Sequence, residues 1–362
     1  MPLKILILEP YHGGSHRAFL DGIEKMSFEF TRLTLPPRKW KWRMRLSAPY
    51  YADKLKEMGK KFDLILCSTF VDVASFRGLA PQWVREVPLL TYFHENQFAY
   101  PTQINDERDM HFALTNMTTA LASDSLAFNS AYNLETFLEG IDKLLSKSYD
   151  MKLDNASALI RERSRVLPPG IDFAAIDALK EPERDGPPVV VWNHRWEHDK
   201  NPEVFFDALL KLESEGVDYR LVVLGESFRE HPPIFDEALK KLSDRVLYSG
   251  YAESRDEYAG WLKHGDIIVS TAGHEFFGMA VIEAVRAGCR PLLPGRLSYP
   301  ELFPGELLYE EKDFVRGFKE CILSGKRLSN ERAIELTSTF SWDALVPAYR
   351  SWIMDALAGL SV

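Results

Sequence analysis

Short apolar runs alternate with longer stretches of mixed polarity along most of this chain. Lys4-Ile-Leu-Ile-Leu8, Phe28 to Leu35, Asp63-Leu-Ile-Leu-Cys67, Pro88-Leu-Leu-Thr-Tyr-Phe93 and Leu126-Ala-Phe128 read as strands. The helix-like Ser15 to Met26 follows the first of them, and Asp142 to Arg165 reads as a charged helix. Continuous apolar strands between helices predict a parallel sheet covered on both faces. The pattern breaks at Val166-Leu-Pro-Pro-Gly170-Ile-Asp172, and residues 181 to 188 are rich in charge, Pro and Gly, as a linker would be. Strands then resume at Val189 to Trp192, Tyr219 to Leu224, Ile267 to Ser270 and Arg290 to Leu293. The expectation is α/β, with two doubly wound halves and a boundary near residues 168 to 188. Ligands of such sheets bind beyond the carboxyl ends of the strands, and two halves facing each other would place a cleft between them.

Length and composition fit this picture. The 362 residues, 46% of them apolar, fill two cores more comfortably than one. A net charge of −9 argues against a protein that is basic all over, though not against a local basic patch. Three dispersed cysteines, Cys67, Cys289 and Cys321, suit free thiols in a reducing cytoplasm. Neither a signal peptide nor a membrane-spanning run of about 18 apolar residues is read.

The segment Gly273-His-Glu275-Phe-Phe-Gly278-Met279-Ala-Val-Ile-Glu283-Ala-Val-Arg-Ala-Gly288 carries the most chemistry. It follows a strand. Gly278 lets the backbone approach a ligand closely, Met279 to Ala287 reads as a helix, and Gly288 stops it. The free N–H groups of that helix start suit a diphosphate. Glu275 in the turn can accept hydrogen bonds from sugar hydroxyls, and Glu283 can accept both hydroxyls of a ribose. Histidine pairs four apart, His12/His16 and His194/His198, straddle loops rather than one helix face. Neither His-Glu dipeptide continues as H-E-x-x-H, so no metal site is expected.

Glu275 and Glu283 in this setting resemble the donor motif of retaining GT-B glycosyltransferases of the family 4 type. The segment Val191-Trp-Asn-His-Arg195-Trp-Glu-His-Asp-Lys200 resembles that family's first C-domain loop, where an Arg and a Lys hold the donor diphosphate. The resemblance implies donor binding by Gly13, Gly14, Arg195, Lys200, Gly278, Met279 and Glu283, without a metal or a further cofactor. It also implies GT-B architecture, two Rossmann-like domains facing across a cleft. Residues 1–169 would form an acceptor-side domain and 185–340 a nucleotide-sugar domain, with the helix 341–362 packing back on the first. In the N-terminal half, Glu9-Pro-Tyr-His12-Gly-Gly-Ser-His16, Tyr92-Phe-His94-Glu-Asn96-Gln97-Phe-Ala-Tyr-Pro101 and Asp109-Met-His111 resemble the tRNA-queuosine mannosyltransferase family. That likeness implies His94 and Glu275 at the reacting centre. It also implies acceptor contacts from His12, His16, Asn96, Gln97 and His111, GDP-mannose as the donor, and queuosine-containing tRNA as the acceptor.

Arg38-Lys39-Trp40-Lys41-Trp42-Arg43 lies in a stretch, Phe30 to Ala52, that contains no acidic residue. Cations interleaved with indole rings suit phosphate contacts and base stacking. The same segment also fits a membrane-surface patch, or a loop that buries its Trp residues. Two other readings stay open at this level: a glycosyltransferase acting on a lipid or envelope glycan, and a non-catalytic nucleotide- or RNA-binding module. A nicotinamide enzyme is disfavoured, because Gly13-Gly14 is not G-x-G-x-x-G and the second strand ends without an acid.

Overall fold

The computed structural model describes residues 2–100, 110–227 and 231–359. The chain divides into two compact units, Met1–Gly170 with Trp342–Val362, and Ile171–Ser341. Each holds one six-stranded sheet in which every pairing is parallel.

In the first unit the strands are β1 (Lys4–Glu9), β2 (Glu29–Thr34), β3 (Leu64–Ser68), β4 (Leu89–Phe93), β5 (Ser125–Phe128) and β6 (Ser164–Val166), in the order β2-β1-β3-β4-β5-β6. Side chains of a strand alternate between faces. Ile5 and Ile7 therefore join one core, with Phe19, Leu20, Tyr92, Tyr349 and Trp352. Leu6 and Leu8 join the other, with Tyr51, Leu55 and Phe76. The C-terminal helix Trp342–Ala358 belongs to the first of these cores through Leu345, Tyr349, Trp352 and Ile353. Its entry is set by Trp342, whose ring fills space left by two glycines. A Cβ on Gly22 would lie 1.8 Å from that ring, and one on Gly170 2.3 Å. Tyr349 donates to the Pro168 carbonyl at 2.8 Å and Trp352 to the Ser125 hydroxyl at 2.8 Å, so both polar tips are satisfied inside the core.

The second unit contains β7 (Val189–Asn193), β8 (Arg220–Leu224), β9 (Val246–Gly250), β10 (Ile267–Val269), β11 (Arg290–Pro294) and β12 (Leu308–Tyr309), ordered β12-β11-β10-β7-β8-β9. Val190 and Trp192 face one core and Val191 the other, and β8 divides in the same way. In both units the order reverses beside the first strand, between β1 and β3 and between β7 and β10. Ligands of doubly wound sheets bind beyond the carboxyl ends of the strands at such switch points.

One expected element is corrected. Residues 142 to 165 are not a single helix. A helix runs from Ala131 to Leu145, capped by Ser130, whose side chain accepts from the Asn133 N–H at 3.0 Å. A second, Ala156–Glu162, follows a non-helical stretch, and Ser164–Val166 becomes β6, paired with β5. Charge without apolar periodicity does not define a helix, and three residues are too few to show the alternation of a strand. The two-residue β12 escapes notice for the same reason.

Candidate active site

The loops after β7 and β10 interlock at the switch point of the second sheet. Asn201 adopts φ +48°, and Pro202 starts the next helix, so the chain turns sharply after Lys200. The Asp199 carbonyl accepts from the N–H groups of Gly273 (2.9 Å) and His274 (3.1 Å). Thr271 donates to the carbonyls of Lys200 and Asn201. Lys200 is thereby held inward with its ammonium on three oxygens: His274 O at 2.7 Å, Asp199 Oδ2 at 3.1 Å and Glu275 Oε2 at 3.3 Å. Burial opposes the charge on Lys200, but Glu275 and Asp199 outweigh it and raise the ammonium above its ordinary value. Burial likewise opposes ionisation of Glu275. Lys200 outweighs it and holds the carboxyl below the usual carboxylate range. His194 and His274 are pushed down to about 4 by burial and then by Lys200, which leaves two neutral imidazoles beside a charged pair.

Gly278 takes φ +97°, a conformation that favours glycine, and leads directly into the helix Met279–Arg286. That helix start has no side-chain cap and no acid in its first turn, and while the Val281 and Ile282 N–H groups donate to the Gly278 carbonyl, the positive end of the helix suits an anion. Inside the helix, Glu283 is buried. Its Oε1 is paired with Arg255, and its Oε2 accepts from the Tyr258 hydroxyl at 2.7 Å. Tyr258 accepts in turn from Asn193 at 2.8 Å. A carboxylate oxygen has a second lone pair, so these bonds fix the orientation of Glu283 and leave it able to accept more. Arg195 stands at the surface, paired with Glu197 at 2.9 Å.

At the switch point of the first sheet, Glu9 ends β1 and turns inward. It accepts from the Tyr11 N–H at 2.8 Å and bonds His16 Nδ1 at 3.0 Å. His16 lies in the first turn of the helix Gly14–Ile23, and its ring centroid is 4.0 Å from that of His94, the residue after β4. Burial opposes protonation of His16, but Glu9 outweighs it, with help from Glu95, and the imidazole titrates above its ordinary value. Burial, and then the neighbouring His16, hold His94 far below its ordinary value. The ligand atoms of Glu9, His16 and His94 lie within 4.8 Å of one another. An ion there would have to displace the bond that Glu9 and His16 make with each other. Gly13 packs so closely on Pro37 that a Cβ would lie 2.5 Å from its ring, and Gly14 takes φ +50°. His12 is half-buried beside them, and burial lowers its imidazole. Gln97 bonds Glu95 at 3.0 Å. His111 is exposed on the helix Met110–Ala122, while Pro101 and Asp109 lie outside the described residues.

The basic segment opens a helix, Trp40–Met58, after Lys39 at φ +52°. Arg38, Lys39, Lys41, Trp42 and Arg45 are exposed, and Arg43 donates to the Pro36 carbonyl at 3.2 Å. A small core of Met44, Phe70 and Phe112, flanked by Tyr11 and Trp40, joins this helix to the loop after β1.

Three of the residues expected at contacts are engaged within the chain or packed against it. Asn96 is fully buried, donates to Asn133 and Thr136, and accepts from the Phe98 and Ala99 N–H groups, so it holds its own turn. His16 is enclosed between Glu9 and His94. Trp40 packs on Phe112 at 5.2 Å, which leaves Trp42, 64% exposed, as the ring free to stack. Arg255 and Tyr258 were not foreseen, because they reach Glu283 from a different strand–helix unit and share no motif with it. Glu9 was visible as a letter of its motif, but nothing in the sequence assigned it a partner.

A family model for the N-terminal part of tRNA-queuosine alpha-mannosyltransferase matches residues 4–171, and a model for glycosyl transferases group 1 matches residues 176–302. The tRNA-queuosine alpha-mannosyltransferase of Drosophila melanogaster is 36% identical over 95% of this chain and 95% of its own. A GDP-mannose-dependent alpha-(1-6)-phosphatidylinositol dimannoside mannosyltransferase of Mycobacterium tuberculosis is 31% identical over 25% of this chain and 23% of its own. Among solved structures, sucrose-phosphate synthase from Thermosynechococcus elongatus superimposes with TM-score 0.72 at 15% identity, over 98% of this chain and 100% of that one. HepE from Anabaena, in complex with UDP, gives 0.69 at 13%, over 98% and 100%. These structural likenesses establish the fold, which is GT-B. With its sequence aligned almost end to end to the fly enzyme, the chain belongs to the tRNA-queuosine alpha-mannosyltransferase family of glycosyltransferases.

Proposed function

We propose that this protein is a cytoplasmic, retaining glycosyltransferase that moves mannose from GDP-mannose to the queuosine base of tRNA. The near full-length similarity to the fly enzyme carries this reading. The short match to a GDP-mannose-dependent relative supports the donor. Arg195 and the uncapped start of the helix at Met279 are assigned to the diphosphate, with Gly278 allowing its approach. Gly13 and Gly14, just after β1, are assigned to the donor on the family resemblance. Lys200 fixes Glu275 in its charged form, and Glu275 is assigned to the hydroxyls of the donor sugar. Glu283, oriented by Arg255 and Tyr258, is assigned to the ribose. A departing nucleoside diphosphate gains charge, and fixed cations and N–H dipoles lower the energy of that state without a metal. His94 is assigned to the reacting centre. Its neutral imidazole is suited to hydrogen bonding rather than to carrying charge.

The tRNA contact is assigned to the helix start at Arg38 to Arg43. A chain of net charge −9 repels RNA at long range, so any contact has to be a concentrated basic surface. Trp42 is free to stack on a splayed base, and His12, Gln97 and His111 are assigned to the acceptor. The test is mass spectrometry of tRNA nucleosides after incubation with a panel of nucleotide sugars. One hexose should be gained, in the α configuration, only with GDP-mannose and only on tRNA that carries queuosine at the wobble position. Equal transfer to tRNA with guanosine there, or an inverted product, would overturn the reading.

A further inference from the structure

Resting on the assignment of His94 to the reacting centre, we infer that Glu9 is a positioning residue for sugar transfer, acting on the His94 imidazole through His16. Glu9 is 2% exposed, His16 6% and His94 9%, and the three are linked in series, Glu9 bonded to His16 and the His16 ring against that of His94. Behind them lies a cavity of about 10 Å³ bordered by Glu9, Ser68, Tyr92 and His94. It admits no sugar or base, and Glu9 and His16 are tied to each other at 3.0 Å. What they reach is His94. Its ring is wedged among Phe19 (5.0 Å, edge-on), Tyr92 (4.6 Å) and His16 (4.0 Å, tilted by 32°). The first two walls are fixed core side chains. The third is an imidazole packed edge-on against Phe70 at 5.4 Å and hydrogen-bonded through Nδ1 to Glu9 Oε2 at 3.0 Å. Glu9 is aimed in turn by the Tyr11 N–H.

The arrangement also decides where the proton sits. Facing the pair are Glu9 from β1, Cys67 and Ser68 from β3, Tyr92 from β4 and Glu95 beside His94. Tyr92 and Cys67 are buried and neutral, both pushed above their ordinary values by burial. The carboxylates place the charge on His16, and a charged His16 refuses a second charge on His94. His94 therefore stays a neutral ring with a hydrogen-bonding nitrogen available to substrate as the medium turns acidic.

Glu9→Gln keeps the shape of the side chain and removes its charge. His16 then loses its proton more readily, the repulsion on His94 disappears, and His94 titrates at a higher pH. His16→Gln leads the same way by a different route, because an uncompensated Glu9 draws the proton toward His94. NMR titration of the histidine ring protons, without substrate, should show the His94 midpoint rise in both variants. With substrate, the acid limb of kcat should move up with it, and kcat at pH 6 should fall about tenfold or more, the scale of one charge-assisted hydrogen bond. GDP affinity by calorimetry should stay at the wild-type value. An unchanged His94 midpoint and acid limb in both variants, with His94→Gln itself impaired in transfer, overturns the inference and leaves the role of His94 intact. Full transfer by His94→Gln removes that role, and this inference with it.

Discussion

At the scale of single residues, the second unit keeps neutral imidazoles where a solvated histidine would gain charge. His194 and His274 titrate at about 4, against roughly 6.5 in an unfolded chain. Between those values the unfolded chain binds protons that the fold refuses, so the free energy of unfolding falls as pH drops through 6.5 and goes on falling to about 4. At pH 5 each imidazole accounts for about 2 kcal/mol of that loss. His194→Gln should therefore narrow the gap between urea unfolding free energies at pH 7 and pH 5 by about this amount. A gap as wide as in the wild type would contradict the burial argument. Residue-level chemistry was only partly legible in the sequence. Glu275 and Glu283 showed through their spacing and the glycine between them, because turn, anion site and helix are all local. Occupancy is not local. Nothing near Asn96 in the sequence signals Asn133 and Thr136, which take up its side chain, and nothing near Glu283 signals Arg255.

At the scale of elements, the basic helix divides its labour between two tryptophans. Trp40 and Arg45 pack against Phe112, at 5.2 Å and 4.9 Å, and anchor the helix start to its neighbour. Trp42, two positions on, points out among cations. Trp40→Ala should therefore lower the melting temperature, as loss of a packed aromatic does. Trp42→Ala should leave melting unchanged and weaken tRNA binding by about 1–3 kcal/mol, the range for one base–aromatic stack. Neutralising Arg38, Lys39, Lys41 and Arg43 together should flatten the slope of log affinity against log salt, because a surface that neutralises fewer phosphates releases fewer counterions on binding. Gel shifts at several salt concentrations measure this, and an unaltered slope would move the RNA surface elsewhere. Strands were the most legible elements. A strand buried on both faces is written as an unbroken apolar run, as at Ile5 to Leu8. Short edge strands such as β6 and β12 carry no such signature, because their existence depends on a neighbour already in place.

At the scale of the whole molecule, the chain enters its second unit at Ile171 and leaves it at Ser341. Those two residues form a parallel bridge, and the Ile171 N–H donates to the Phe340 carbonyl at 2.8 Å. A segment whose ends meet, with its own sheet and two cores, has the character of an inserted domain. Residues 171–341 expressed alone should melt cooperatively and bind GDP by calorimetry, whereas a chain ending at Ser341 should lose the melting transition of the first unit. A fragment that fails to fold would show the second unit to be dependent on the first. The same topology has a consequence for biosynthesis. The helix that covers Ile5, Ile7 and Phe19 is encoded more than 300 residues after β1. Until that helix is made and released, the first unit waits with an apolar face uncovered, a natural client for chaperones. A premature stop in the codons just after Ser341 would yield an intact second unit joined to a sheet that proteases and other nascent chains could reach.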